Sequence, residues 1–347
     1  MMRLDELARL ARRRRLDQLL VMGQANIRAF TGVNCDSAVL RLASGRGASG
    51  AFQAAFCTDF RYAPMVRRVA PSLKVRDIRR FWTQPADRAN ARIGYESTVS
   101  HACFLKLRKL FPRAAFVDVV RDLESLRAVK TPEEIAGLRA AERLNCEIWE
   151  EARSRFEPGM TERQMARIVQ TLMVERGEGE AFDTIVCVGP NAAECHHEPD
   201  DTVWDGRQGV LVDMGVRLGG FCSDLTRNIV PRRADRTYRK VYDLVLRANR
   251  AAIAAARPGM KAKALDKVAR DVIRAGGFGK CFGHSLGHGV GYEIHEAPAV
   301  SPRGDMELRA GMVFTIEPGV YLEGNLGVRI EDMVLLTESG CEVLSSD

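Results

Sequence analysis

Two stretches with the same opening decide the fold: FEPGMTERQMARIVQTLMVERG at residues 156–177 and ARPGMKAKALDKVARDVIRAGG at residues 256–277. Each contains a Pro-Gly-Met triplet, continues with apolar residues at helical spacing and closes on a glycine, a common helix terminator. The apolar positions keep one register, as in Met165/Leu265, Ile168/Val268 and Leu172/Val272. Two unrelated helices with a shared start are the alternative. The matched register favours a duplicated half-domain, in which each half covers a shared sheet with a helix.

Two aspartates follow the first stretch, in VLVDMGVRLGGFCSDLTRNIV at residues 210–230. Asp213 comes after an apolar run, and Asp224 comes after a glycine pair, Gly219-Gly220, which joins two strand-like runs. This pattern predicts a hairpin that can bring both carboxylates onto facing strands. Taken singly, either aspartate is better explained as a turn or capping residue. Together they indicate a site, because a buried carboxylate is costly unless it is paired or bound to a metal.

Histidines and glutamates follow the second stretch. The segment HSLGHGVGYEIHEAP at residues 284–298 holds three of the six histidines, spaced by glycines that let the backbone approach a site closely. Further on, VFTIEPGVYL contains Glu317 and GVRIEDMVLL contains Glu331. Both glutamates interrupt apolar strand patterns, where glutamate is disfavoured by propensity and by burial. Local inconsistencies of this kind are expected at functional sites.

Five motifs therefore occur in a fixed order: D-x-G at Asp213, D-x-T-R at Asp224, GHGVG around His288, IEPG around Glu317 and RIED around Glu331. This set resembles the prolidase/aminopeptidase P/creatinase family. The resemblance spans residues 123–347, including VKTPEEI and FDTIVCVGPNAAECH, and extends more loosely to the N-terminal part. It implies an α+β protein, with a creatinase-like N-terminal domain in residues 1–122 and a pita-bread catalytic domain in residues 123–347. That domain is internally duplicated, with helices covering a curved antiparallel sheet, which agrees with the repeat.

The resemblance also implies a dinuclear metal centre. Asp213 would chelate one metal, His288 and Glu317 would hold the other, and Asp224 and Glu331 would bridge the pair. Four carboxylates and one imidazole form a hard, oxygen-rich donor set that suits Mn(II), Co(II), Fe(II) or Zn(II). Two such metals can lower the pKa of a shared water to about 7, so that a bridging hydroxide attacks the peptide bond before proline.

Catalytic and substrate-binding roles follow from the same resemblance. Glu317 would act as general base and then acid. His196 and His295 would contact the substrate and stabilise the oxyanion, and His284 is a further substrate-binding candidate. Arg329 would orient a carboxylate of the centre. A homodimer is also implied.

The sequence slightly favours an Xaa-Pro dipeptidase (prolidase) over an Xaa-Pro aminopeptidase, and both alternatives stay open. A dipeptidase needs a group that binds the free carboxylate of its substrate, and Arg303 in SPRGDMELR is a candidate. A solvated loop arginine is the equally good interpretation.

Two other catalytic motifs are weaker. Residues 283–287 match G-x-S-x-G, the nucleophile elbow of serine hydrolases. Only Glu293 lies between Ser285 and the last histidine, His295, which is too close for the usual order of serine, acid and histidine. The pair His196-His197 could indicate a single-metal site, but the chain contains no H-E-x-x-H.

The N-terminal part alternates strand and helix patterns, which predicts a small α/β domain that ends near Leu123. Residues 1–122 carry 23 Lys and Arg against 10 Asp and Glu, whereas the rest of the chain carries 29 against 35. A basic domain can bind nucleic acid. The Arg12–Arg15 run lies in an amphipathic helical pattern, so a solvated helix face is the favoured interpretation. A non-catalytic pita-bread binding protein is the alternative function, although such proteins have usually lost metal ligands.

Composition is that of an ordinary globular protein, with 46% hydrophobic and 28% charged residues. No apolar run approaches the 18 or more residues that a membrane span needs, and no apolar stretch follows the charged N-terminus as in a signal peptide. The nine cysteines form no C-x-x-C motif. Free thiols in a reducing compartment are expected, and we therefore predict a cytoplasmic enzyme without membrane partners.

Overall fold

The computed structural model describes residues 2–44, 51–83 and 91–345. It divides the chain into two compact units, Met1–Arg127 and Ala128–Asp347. The boundary expected near Leu123 falls a few residues before this division. No helix in the described ranges is long and apolar enough to cross a membrane.

The first unit is a small α/β domain, as the alternating patterns predict. Its mixed sheet has the order β4-β3-β2-β1-β5-β6, with β1, β2 and β3 antiparallel and the outer pairs parallel. The strands are β1 (Gln18–Val21), β2 (Ala38–Ser44), β3 (Phe52–Thr58), β4 (Lys74–Asp77), β5 (Arg92–Tyr95) and β6 (Ala115–Asp118). The helices are α1 (Leu4–Arg13), α2 (Gln24–Thr31), α3 (Ala63–Val69), α4 (Ile78–Thr83), α5 (His101–Leu110) and α6 (Val120–Ala128).

The second unit has two long helix pairs. Its helices are α7 (Pro132–Ser154), α8 (Glu162–Arg176), α9 (Arg236–Ala255) and α10 (Ala262–Ala275). Thr131 caps α7 with a capping box to Glu134, and Thr161 caps α8 in the same way with Gln164. These caps satisfy backbone N–H groups of the first turn, and Pro132 needs no such partner, which explains why the helices begin there.

Each helix pair covers its own antiparallel sheet. The helices α7 and α8 pack on the three-stranded sheet β11-β8-β7, and α9 and α10 pack on the five-stranded sheet β13-β12-β14-β17-β18. The first half contains β7 (Ile185–Val188), β8 (Val210–Met214), β9 (Arg217–Leu218), β10 (Phe221–Cys222) and β11 (Leu225–Ile229). The second contains β12 (Gly287–Gly289), β13 (Glu296–Val300), β14 (Val313–Ile316), β15 (Gly319–Leu322), β16 (Leu326–Arg329), β17 (Asp332–Leu336) and β18 (Cys341–Val343).

The two Pro-Gly-Met turns have the same environment, which supports the predicted duplication. Gly159 N–H donates to Trp204 O, and Gly259 N–H donates to Leu308 O, both at 2.8 Å. In each half, the turn is therefore hydrogen-bonded to the segment that precedes a later strand, β8 in the first half and β14 in the second.

The sequence predicted one sheet shared by the two halves. In the described residues, each half instead forms its own hydrogen-bonded sheets. They meet where Glu331 N–H donates to Thr226 O at 3.3 Å. This contact joins a loop of the second half to β11 of the first, and it lies beside the predicted metal ligands.

Candidate metal centre

A tight hairpin positions the two aspartates, as the sequence predicts. Asp213 is the fourth residue of β8 and faces Thr226 across the β8–β11 ladder. Strands β9 and β10 pair through Gly219 and Gly220, whose φ angles are 59° and 72°. Two successive positive φ values define a type I′ turn, which glycine adopts without strain. The hairpin returns the chain to Asp224, immediately before β11.

His288 lies in the short strand β12 between two glycines. A side chain at Gly287 would come within 2.0 Å of Thr315 O, and one at Gly289 within 2.1 Å of Ala297 O. Only glycine therefore allows β12 to fit between β13 and β14. The ring N–H at Nδ1 of His288 donates to its neighbour's carbonyl, Gly289 O, at 3.1 Å. This bond fixes the tautomer and leaves the lone pair of Nε2 free for a ligand.

Glu317 and Glu331 lie at the ends of strands, whereas the apolar patterns suggested positions inside them. Glu317 follows β14, which ends at Ile316, and Glu331 lies between β16 and β17. Pro318 has no N–H to continue a ladder after Glu317. Both carboxylates are thus free of the regular sheet and line the pocket described below.

The predicted ligand atoms come together around His288 Nε2. It lies 3.4 Å from Asp224 Oδ2 and 3.5 Å from Glu317 Oε1. Ligand atoms of Asp224, His288 and Glu331 all lie within 4.8 Å of one another. Burial, with a contribution from the nearby His295, lowers the pKa of His288 to about 4, so its ring is neutral near pH 7.

The carboxylates of the cluster are crowded and buried. Burial first, and then the charges of neighbouring carboxylates, raise the pKa values of Asp224 and Glu331 well above their ordinary values. Burial and the charge of Asp213 raise the pKa of Glu317 to about 8, although Arg329 opposes this shift. Such a group of acids binds protons in the absence of other cations, and a divalent metal would replace those protons.

Arg329 and Thr226 connect the acids. Arg329 Nη2 donates to Asp213 Oδ2 at 2.6 Å, and Arg329 Nε donates to Thr226 Oγ1 at 3.1 Å. Thr226 Oγ1 in turn donates to Glu331 Oε2 at 2.6 Å. Asp213 Oδ1 is buried and has no hydrogen-bond partner among the described residues. Since buried acceptors are nearly always satisfied, this oxygen fits a metal ligand.

The cluster opens into a pocket of about 550 Å³, lined by all five predicted ligands and by His196, His284 and His295. The ring of His295 packs edge-on against that of His288, with centroids 4.3 Å apart. His196 and His295 are exposed, and no hydrogen bond to the ring nitrogens of either is present in the described structure. Both rings can therefore donate to a bound ligand.

His284 differs from these two histidines because both of its ring nitrogens are engaged. Nδ1 donates to Ser285 O at 2.7 Å, and Nε2 lies 2.9 Å from the hydroxyl of Tyr321. Burial lowers the pKa of His284 to about 4. A substrate contact through His284 would have to replace one of these two bonds.

Arg303 is not brought into the pocket. It is exposed in the turn after β13 and is absent from the lining residues, although Ala299 of β13 is among them. Arg329 is the one arginine that lines the pocket among the described residues, and its guanidinium already contacts Asp213, Thr226 and Tyr321. The role of Arg303 as a carboxylate anchor stays a prediction.

Sequence reasoning missed Glu142 and Tyr321. Glu142 is fully buried in α7, accepts a hydrogen bond from Asp224 N–H at 3.1 Å, and has a pKa raised to about 7 by burial. The sequence pattern that could have indicated it is a charged residue on the same helix face as the apolar Leu138 and Trp149. Tyr321 accepts a hydrogen bond from Arg329 Nη1 at 2.9 Å and had no comparable signal.

Comparison with known proteins agrees with this geometry. The model of metallopeptidase family M24 matches residues 136–338, and that of the creatinase/prolidase N-terminal domain matches residues 3–129. An Xaa-Pro dipeptidase of Pyrococcus furiosus is 39% identical over 258 residues, which cover 73% of this chain and 73% of that protein. An uncharacterized peptidase of Bacillus subtilis is 32% identical over 98% of this chain and 96% of its own length.

Solved structures of similar proteins cover both units. A prolidase from Pyrococcus furiosus has a TM-score of 0.89 at 32% identity, covering 98% of this chain and 99% of its own. An X-Pro aminopeptidase from Thermotoga maritima has a TM-score of 0.87 at 31% identity, covering 100% and 98%. The predicted fold, a creatinase-type N-terminal domain followed in the chain by a pita-bread catalytic domain, is confirmed.

Proposed function

The chain belongs to metallopeptidase family M24, and on this basis we propose that it hydrolyses the peptide bond preceding proline in peptides. The observation that carries the proposal is the buried acid cluster near His288, which includes an Asp213 oxygen without a hydrogen-bond partner in the part of the chain that the structure describes. Similarity to an Xaa-Pro dipeptidase and to an X-Pro aminopeptidase supports the substrate class.

The donor set fits two divalent cations. Asp213 would hold one, His288 and Glu317 the other, and Asp224 and Glu331 both. The oxygen-rich set suits Mn(II), Co(II), Fe(II) or Zn(II). Bound at this position, two such cations would supply Lewis acidity, which lowers the pKa of a water to about 7.

The protein's own groups then complete the reaction. Glu317 takes the proton of the attacking water and passes it to the proline nitrogen as the bond breaks. His196 and His295, whose ring nitrogens make no hydrogen bond to any described residue, donate hydrogen bonds to the carbonyl oxygen as it becomes negative. Arg329 keeps Asp213 in one orientation through the 2.6 Å bond to Oδ2, so that Oδ1 would be available to hold a metal.

The pocket favours aminopeptidase over dipeptidase activity. Its lining includes two exposed acids, Asp183 and Glu198, and the one arginine that lines it among the described residues, Arg329, is already bound to Asp213. The free carboxylate of a dipeptide would lie near the metal centre and needs a cation there, whereas a longer peptide places an uncharged amide at that position. The second candidate is a dipeptidase that uses Arg303, which lies four residues after the pocket-lining Ala299 in the chain.

Hydrolysis assays separate these activities. The purified protein is incubated with Ala-Pro, Met-Pro and a longer Xaa-Pro-Xaa peptide, with and without Mn(II), Co(II) or Zn(II). We expect metal-dependent release of the first residue from the longer peptide, at higher kcat/KM than cleavage of either dipeptide. Absence of cleavage of all three peptides under every metal condition refutes the proposed function.

The active form is proposed to be a homodimer in which the N-terminal unit of one copy approaches the pocket of the other. Phe60 supports this, because its side chain is 86% exposed beside the Asp59–Arg61 ion pair. The basic first unit also complements the acidic residues of the pocket. Light scattering of the active protein tests this proposal, and a fully active monomer would contradict it.

A reducing compartment such as the cytoplasm is proposed for this enzyme, since all nine cysteines are free thiols.

A further inference from the structure

His196 and His295, the two pocket histidines whose ring nitrogens have no partner within the described ranges, are each followed by a residue in a buried ion pair. After His196, His197 Nε2 lies 2.7 Å from Glu162 Oε2. After His295, Glu296 Oε2 lies 2.8 Å from Lys130 Nζ. The Glu162 and Glu296 side chains are 0% and 2% exposed, so neither acid depends on solvent for its partners. The first pair differs from the second because one of its members is a histidine, whose charge depends on pH.

Glu162 is the first residue of α8 and joins three segments of chain. Its Oε1 accepts hydrogen bonds from Val188 N–H at 2.6 Å and from Asn191 Nδ2 at 3.0 Å. Its Oε2 accepts from Asp200 N–H at 3.0 Å and contacts His197. One carboxylate therefore ties the end of β7, the following 3₁₀ turn and the loop of residues 194–200 to a rigid helix.

This cluster could be mistaken for a second metal site. Ligand atoms of Glu162, His197 and Asp200 lie within 4.8 Å of one another. However, each oxygen of Glu162 already has two partners, and two of the four donors are backbone N–H groups. A metal would displace them only if the chain moved, so a role in holding the loop is the better explanation.

The loop is also bound on the side of the metal centre. Cys195 O accepts a hydrogen bond from Arg329 Nη1 at 3.4 Å, and Arg329 holds Asp213. His196 thus lies between a residue bound to the metal-site arginine and a residue bound to Glu162. Two attachments, one on each side, leave the backbone of His196 little freedom to rotate.

We propose that Glu162 and His197 form a positioning pair, which holds the imidazole of His196 in the pocket. Glu162 lies outside the pocket lining, and His197 lines the pocket but has both ring nitrogens engaged, by Glu162 and by Glu194. Both residues therefore act through His196. The inference rests on the proposed function insofar as His196 contacts the peptide. It adds a requirement for that contact, because an exposed histidine on an unanchored loop would lose orientation entropy each time it engaged a substrate.

The pair is sensitive to pH. Burial alone would lower the pKa of His197, but the hydrogen bond and charge of Glu162 outweigh it, with help from Glu194 and Asp200, and the pKa is raised. These three acids are the charged groups that face His197 from α8 and from its own loop. A histidine with a raised pKa stabilises the folded loop below its ordinary pKa, and that contribution is lost as pH rises through the folded value.

A double-mutant cycle tests the proposal in the metal-loaded enzyme. His197→Ala should lower kcat/KM for the Xaa-Pro peptide about 10- to 100-fold, mainly in kcat, as expected for a misplaced catalytic group. His197→Gln can still donate an N–H to Glu162, so its activity should return to within about three-fold of wild type. In the His196→Ala background, His197→Ala should have no further effect. Arg163→Ala, which removes an exposed ion pair to Asp201 on the same helix turn, is the matched control and should be silent.

Equal losses from His197→Ala with and without His196 would overturn the proposal, since His197 would then act on the whole fold or on the metals. Metal content, measured on each variant, must stay at the wild-type value for the expected result to hold. Activity as low in His197→Gln as in His197→Ala would also contradict a role in hydrogen bonding to Glu162.

A second measurement does not depend on activity. The chain has six histidines, so ring resonances of a histidine-labelled, zinc-loaded sample can be assigned by single substitutions. The His196 signals should shift or broaden in His197→Ala and recover in His197→Gln, while those of His284 stay in place. Unchanged His196 signals in His197→Ala would refute the positioning role. If wild type cleaves no Xaa-Pro peptide, the proposed function fails, but this spectrum still decides whether the pair positions His196.

Discussion

Arg329 and Asp213 share a single hydrogen bond of 2.6 Å that uses one carboxylate oxygen, Oδ2, and leaves the other, Oδ1, buried without a partner in the described part of the chain. The arginine is itself buried, and it also contacts Thr226 and Tyr321. It therefore holds Asp213 without saturating it. A carboxylate arranged in this way has one oxygen fixed for orientation and one available to a metal, as is typical around protein metal sites.

Arg329→Lys should weaken metal binding without removing the positive charge. Lysine cannot reproduce a planar guanidinium that contacts Asp213, Thr226 and Tyr321 together. We expect metal affinity to fall about 10- to 100-fold, which is typical when such supporting groups are lost. Metal titration by calorimetry measures it. Unchanged affinity would mean that Asp213 is oriented by other contacts.

Removal of metal should abolish activity reversibly. Dialysis against a strong chelator is expected to eliminate cleavage of the Xaa-Pro peptide, and Mn(II), Co(II) or Zn(II) should restore it. His288→Ala should lower the bound metal, measured by elemental analysis, toward one ion per chain. Full activity in verified metal-free protein would exclude metal-dependent hydrolysis.

The stabilisation of the folded protein by bound metal should increase as pH rises. Without metal, the pKa of Glu317 is raised from 4.5 to about 8, so the folded state binds this proton more tightly than the unfolded state. Its contribution to the stability of the metal-free protein is therefore lost as pH rises from about 4.5 to about 8. The difference in Tm between loaded and metal-free protein should widen over this range. A Tm difference that stays constant with pH would contradict this role of Glu317. In Glu317→Gln the increase of the Tm difference with pH should be smaller.

Glu317→Gln should lower kcat by at least about 100-fold, because the amide keeps the shape of the side chain but cannot carry the proton. Glu323→Gln, an exposed change in the turn after β15, is the matched control and should be silent. Steady-state kinetics at saturating metal gives the comparison. A kcat within a few-fold of wild type, with metal bound, would assign the proton transfer to another group.

Arg303→Ala decides between the two Xaa-Pro activities. Since Arg303 is exposed and does not line the pocket, we expect KM for Ala-Pro to change by less than about three-fold, as for most surface substitutions. Arg309→Ala changes another exposed arginine between β13 and β14 that does not line the pocket, and it is the matched control. A rise of roughly 10- to 150-fold for Ala-Pro alone, the worth of a charge-assisted pair, would instead establish Arg303 as a dipeptide anchor.

Local sequence patterns were sufficient for the duplicated helices, the Gly219-Gly220 hairpin and the ordered motifs of the acid cluster. Helical spacing, capping residues and two-residue turns act between neighbours in the chain, so they can be recognised without tertiary structure. Glu317 and Glu331 could be singled out because each interrupts an apolar pattern, and His288 because it lies in a segment rich in histidine and glycine. The full predicted set, with Asp213 and Asp224, depended on the ordered motifs that resemble the family.

Which distant side chains hydrogen-bond to one another was decided only by the tertiary structure. Thr226 and Glu331 are 105 residues apart in the chain, and Glu162 and His197 are 35 apart, yet each pair makes a direct hydrogen bond. Nothing in the segment around Glu162 predicts that its carboxylate will close on the loop of His196, or that Arg303 will stay outside the pocket. A hydrogen bond forms where packing brings donor and acceptor within about 3 Å, and that distance depends on how the helices and sheets of both halves come together.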